Sequence, residues 1–208
     1  MTYSDFSLET VNMSLGLAIQ RATLFTNVTP VAAPTWLQDV LTTTKQMALV
    51  SEKARSEFIV APILLSVRQL SGDRITIYSG QRLDVDNEKG LMGECDFILA
   101  DTPPLPIVQA PIVTLVEAKK NDIESGLGQC AAQMYAADLF NQKKGHPRAA
   151  LFGCVTTGEV WQFLKLADAV LYIDSNRYYI DQVEIILGVL AHIVAFYLAP
   201  TGERATDE

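Results

Sequence analysis

The order of hydrophobic patterns in this chain predicts an α/β or α+β fold, a mixed sheet flanked by helices. Three observations carry the prediction. Residues 51–70 repeat apolar positions at helical spacing. Residues 74–119 change to short apolar runs separated by Gly, Pro and Asp, the pattern of strands and turns. Residues 126–141 return to an alanine-rich helix, and further strands follow. With 208 residues and 49% hydrophobic content, the chain suits one domain spanning residues 1–208 with a full core. Residues 1–34 read as an N-terminal arm, 52–175 as the core and 181–199 as a C-terminal helix.

Taken in order, residues 5–22 fit a helix loosely, weakened by Gly16, that could act as a docking arm. Residues 27–34 hold two prolines and read as a loop, after which Thr35 caps a helix starting at Trp36. The helical pattern of residues 51–70 contains Pro62, which should kink or restart it because proline has no N–H and crowds the preceding turn. Residues 74–78 and 81–85, joined by Ser79-Gly80, carry a hairpin signal. Residues 93–100 form the next strand. Residues 112–119 are apolar on both faces until a charged tip, which marks a central, doubly covered strand. Gly126 and Gly128 should let the chain turn into the crossover helix that follows, and residues 149–156, 160–166 and 169–173 supply the remaining strands.

Residues 183–199 are apolar nearly all round, but Glu184 and His192 interrupt them, and the unbroken runs fall short of the roughly 18 residues a bilayer crossing needs. A buried helix is expected, with no membrane partner, and its second apolar face suits a homodimer. His192 is expected to be a hydrogen-bonded core residue, and residues 201–208 a polar, mobile tail. Cys95, Cys130 and Cys154 are odd in number and form no Cys-x-x-Cys pair, so buried reduced thiols are expected. No basic segment followed by an apolar block opens the chain, which predicts a cytoplasmic protein. The two histidines are not placed for zinc, and no Gly-x-Ser-x-Gly elbow is present. Trp161, Tyr178 and Tyr179 read as sheet packing more readily than as base-stacking groups.

The chemistry concentrates at Glu117-Ala118-Lys119, the one place in the sequence where an acid stands two residues before a lysine. A strand alternates its side chains, so Glu117 and Lys119 project from one face. Asp96 begins the preceding apolar run and could join Glu117 if the two strands are neighbours. Carboxylate oxygens are the hard ligands that Mg²⁺ or Mn²⁺ selects. Asp96 and Glu117 are the expected direct ligands, the Ala118 carbonyl is a possible third, and Glu57 acts directly or through water. Glu52 or Glu94 could take the part of Glu57. Lys119 is expected to orient the attacking water or to stabilise phosphoryl oxygens. Gln129 and Gln133 lie one helical turn apart on a shared face. A net charge of −8 opposes a polyanionic partner unless local charge differs from the whole. Lys120, Lys143, Lys144 and Arg148 are the cations available for substrate binding.

A glutamate on a helix (Glu57), strands bearing Asp96 and then Glu117-x-Lys119, and a glutamine on the next helix (Gln133 or Gln129) resemble, in that order, the PD-(D/E)XK nuclease superfamily. The resemblance covers residues 52–141, with Cys95 standing where a proline often precedes the aspartate. It implies an α/β, restriction-endonuclease-like fold and a Mg²⁺- or Mn²⁺-dependent endonuclease that hydrolyses phosphodiester bonds, with DNA the expected partner. It also implies that the glutamine contacts the active site or the substrate. The alternative is a non-catalytic member of the same fold that binds protein or nucleic acid.

Overall fold

The computed structural model describes residues 1–198. The expected helix end at Ala199 and the expected mobile tail 201–208 lie outside the described residues. A turn at Tyr3–Asp5 leads into helix α1, Leu8–Leu15, whose first turn is capped by the Ser7 hydroxyl accepting from the Thr10 N–H at 3.2 Å. The single helix expected over residues 5–22 does not form. Gly16, at φ 70°, ends α1, and residues Ala18–Ala22 become strand β1. The arm is not free to dock elsewhere, because Tyr3, Phe6, Val11 and Leu17 are buried in the core.

Helix α2 spans Thr35–Thr44, one residue earlier than the expected cap, with Pro34 at the cap position. Helix α3, Glu52–Arg55, starts at Ser51, whose hydroxyl accepts from the Ala54 N–H. A π turn at Ser56–Val60 then leads into α4, Ala61–Leu70. Pro62 does restart the helix. Lacking an N–H, it cannot bond the Phe58 carbonyl, which accepts from the Thr44 hydroxyl at 3.2 Å instead.

The expected hairpin at Ser79-Gly80 is absent. Strand β2, Thr76–Arg82, runs straight through it and pairs antiparallel with β3, Glu94–Ala100. Gly80 accepts φ 62° without steric cost, and pairing on both sides of it outweighs the local turn signal. Reversal happens later, around the Asp86–Leu91 bridge. Strand β4, Ile112–Ala118, is buried along its whole length. Helix α5, Glu124–Lys143, crosses over from it to the parallel strand β5, Leu151–Thr156. Strands β6 (Val160–Ala167), β7 (Val170–Asp174) and the short β8 (Tyr178–Tyr179) precede helix α6, Val183–Leu198.

The protein is thus α/β, with one mixed sheet ordered β1-β7-β6-β5-β4-β3-β2 and β8 beside β6. Only β1/β7 and β4/β5 are parallel pairs. Helices α1 and α5 cover one face, and α2, α4 and α6 cover the other. Helix α6 and the turn before it are long and apolar enough by composition to cross a membrane. Ile186, Leu187, Val189, Leu190 and Ile193 are nevertheless buried against the second core. Phe196 stays exposed. His192 is exposed as well, contrary to expectation. It sits edge-on to Phe25 at 5.7 Å, since the helix turns it toward the rim and not the core. The three cysteines are free and buried, and Trp161 and Tyr178 pack in the core.

Gly126 and Gly128 do not serve as a turn. Both lie within α5, where they allow close packing. A Cβ on Gly128 would stand 2.4 Å from the Phe6 carbonyl oxygen and 2.5 Å from the Ser7 Cα, both backbone atoms that cannot rotate away. Gly→Ala inside a helix ordinarily stabilises by about 1 kcal/mol. Gly128→Ala is expected to reverse that sign and cost about 1–3 kcal/mol through overpacking. A urea midpoint equal to or above that of the parent chain would show that the arm does not press on α5.

Candidate active site

The β3/β4 pairing builds the site. Phe97 pairs with Val116, a register that brings Asp96 level with Glu117 at the end of β4. The Asp96 Oδ2 accepts the Ala118 N–H at 2.7 Å. Ala118 thus contacts Asp96 through its N–H. Lys119, one residue beyond the strand, is held by its N–H to the Thr156 carbonyl at 2.8 Å. Its Nζ donates to Glu117 Oε1 at 2.7 Å and to Gln129 Oε1 at 3.0 Å. Gln133 donates from Nε2 to Glu117 Oε2 at 2.8 Å. The two glutamines are no surface stripe: Gln133 is fully buried, and α5 aims both at the tip of β4.

Glu117 is 2% exposed. Burial first, and then the charge of Asp96, push its carboxyl up to about 7, against the attraction of Lys119 and the Gln133 hydrogen bond. Asp96 is also raised, chiefly by burial, and the Ala118 N–H and Lys119 only partly offset this. For Lys119, burial works to lower the pKa, but the Glu117 carboxylate outweighs it and the ammonium is held above its ordinary range. Lys119 therefore stays protonated. It is a hydrogen-bond donor and not a base, and two of its three N–H groups are in use. The third is free for a ligand oxygen. The Gln133 Oε1 is buried with no protein partner.

Glu57 and Glu52 separate in role. Glu57 lines a cleft with Asp96, Glu94 and Gly80, but its side chain is half exposed and its nearest cation is Lys53 at 3.8 Å. The charge of Glu52 raises both Asp96 and Lys119. Five residues apart on a regular helix, the two point about 140° from one another. The π turn that starts at Ser56 rotates less per residue, so both acids line the one cleft, and no sequence period announced it. Gly80 lies across from Asp96, between the pairs Ser79–Phe97 and Gln81–Cys95. With no side chain there, the approach to the aspartate is open.

The basic loop lies at the end of β4 opposite the acids. Lys143 and Lys144 sit at the far end of α5, where Asn141 bonds both backbone groups of Ile112, the first residue of β4. Lys143 donates to the Val85 carbonyl and Lys144 lies over the Phe140 ring. Arg148 follows in the same loop. A seven-residue strand, about 20 Å, separates this end from Lys119. Lys120 is next to the site and exposed.

Among the described residues, no three His, Cys, Asp or Glu side chains converge tightly enough to form a complete metal-holding group. The donor set still fits a hard dication in kind. Asp96 and Glu117 are adjacent carboxylates, the charge of the first raising the pKa of the second, and Mg²⁺ commonly takes one or two protein carboxylates and completes its shell with water and substrate phosphate. No family model matches this chain, and no curated protein matches it.

Proposed function

We propose that this protein is a metal-dependent nuclease that hydrolyses phosphodiester bonds, with DNA the first substrate to test. The observation that carries the proposal is the convergence of Asp96, Glu117 and Lys119 at the end of β4, under two glutamines from α5. A carboxylate as buried as Glu117 works against stability, and perturbed carboxyls beside a cleft, which Asp96 lines, are characteristic of functional sites. Asp96 and Glu117 would hold Mg²⁺ or Mn²⁺, with Glu52 the nearer helix acid and Glu57 at the cleft wall. The ion would supply charge neutralisation at the phosphate and an activated water. Lys119 would aim its third N–H at a phosphoryl oxygen or at the attacking water. Gln129 would fix the ammonium, and Gln133 would fix the face of Glu117. The resemblance to PD-(D/E)XK nucleases supports the same assignment.

Incubation with supercoiled plasmid and with single-stranded DNA and RNA tests this. Cleavage is expected only with Mg²⁺ or Mn²⁺ present and is expected to vanish in Asp96→Ala. Removing the charges of Lys143, Lys144 and Arg148 should leave it intact. Metal binding without scission of any of these substrates would instead support the non-catalytic binding module.

A further inference from the structure

Beyond Lys119 the chain builds a second cleft that the chemistry above does not use. It has a volume of about 220 Å³, room for several waters of about 30 Å³ each, and its charged lining is three cations, Arg55, Lys120 and Arg177, against two carboxylates, Glu124 and Glu159. Helix α3 straddles the tip of β4: Glu52 lines the acidic cleft and Arg55 the second one. Taking the nuclease reading as its basis, we infer that this second cleft binds a backbone phosphate of the nucleic acid next to the one being cut, with Arg177, Lys120 and Arg55 as its ligands.

Arg177 is held in place from beneath. Its Nε donates to the Gln162 Oε1 at 3.1 Å, and Gln162 is 3% exposed, its own Nε2 fixed to the carbonyls of Asp174 at 2.8 Å and Asn176 at 3.1 Å. Asp174, fully buried, accepts from the Asn176 N–H and the Tyr178 hydroxyl, which locks the turn that carries Arg177. The outer end of the guanidinium meets Glu124 at the exposed rim. Arg55 donates from Nη1 to the Thr157 carbonyl and Glu159, while its buried Nε has no partner. Lys120 makes no ion pair among the described residues. A guanidinium pre-set in this way offers a fork to phosphate, and Glu124 stands where the phosphate would replace it. On a chain of net charge −8, cations gathered beside the site are what a polyanion requires to approach it. A lone mononucleotide has no flanking phosphate to place there. A polymer does.

Fluorescence anisotropy with labelled single-stranded and duplex DNA tests the inference, using the cleavage-blocked Asp96→Asn chain in EDTA. Relative to that background, Arg177→Gln is expected to weaken binding about tenfold. Lys120→Ala, a change at an exposed residue that spares the fold, should reduce the slope of log affinity against log salt by about 1. Glu124→Gln, which frees Arg177 from its competitor, should tighten binding severalfold, an effect that a merely structural ion pair would not produce. Unchanged affinity and slope in Arg177→Gln and Lys120→Ala overturn the inference, as does binding of inorganic phosphate with no oligonucleotide bound. Cleavage by the parent chain alongside such unchanged binding leaves the nuclease reading standing. Binding that depends on Arg177 in a chain that never cleaves removes the nuclease reading and keeps the cleft.

Discussion

Glu117→Gln is expected to abolish cleavage, by on the order of a thousandfold or more, and at the same time to make the protein more stable above neutral pH. The two effects have one cause. The carboxylate sits at 2% exposure next to Asp96, and its proton is held up to about 7 from an ordinary 4.5. Between those values the folded chain keeps a proton that the unfolded chain releases, so stability falls as pH rises through the window. The full penalty is present above about 7 and absent below 4.5. Its size is on the order of 3 kcal/mol. Glutamine keeps an acceptor for Lys119 and removes the charge. At about pH 8 the variant should be more stable by that order, and near pH 5 the difference should shrink toward nothing. Urea titrations at the two pH values decide it, and a variant less stable than the parent at both would mean that the carboxylate holds the fold together and is not stored strain.

Divalent metal should restore what the charge costs. On the nuclease reading, Mg²⁺ at a hundred times its dissociation constant adds about 2.7 kcal/mol to the folded state, and for a chain of this size that raises Tm by roughly 5–10 °C. The increment should be large near pH 8, where both carboxylates are ionised. It should decline toward pH 5, where protons compete for them. In Glu117→Gln it should fall away. Thermal scans with Mg²⁺, Mn²⁺ and EDTA at several pH values measure this directly. A metal increment that is the same in parent and variant would place the ion somewhere else on the molecule.

The α/β architecture was legible because period-two and helical patterns are local properties of the chain. Glu117 and Lys119 come together through strand alternation, which extends over only three residues. Gln129 and Gln133 share a face for an equally local reason, the helical repeat. Where competing signals had comparable strength, long-range pairing decided between them. Residues 18–22 joined the sheet because β7 offers a parallel edge, and Ser79-Gly80 stayed extended because β3 pairs with β2 on either side. Lys143 and Lys144 looked like partners of the site on charge alone. Which end of a helix faces which end of a strand is a matter of topology, and it places them at the wrong end.

By itself, then, the sequence determined the layered class of the fold and the acid-and-lysine pair at the tip of its central strand, since both follow from repeats shorter than a single element. The tertiary structure alone decided that Glu52 and Glu57 line one cleft with Asp96, that Gln133 is buried against Glu117, and that Arg177, 58 positions after Lys119, flanks the neighbouring cleft. Those facts depend on the phase of a π turn and on the order of strands in the sheet. Both are set by packing between distant segments, and no window of neighbouring residues contains them.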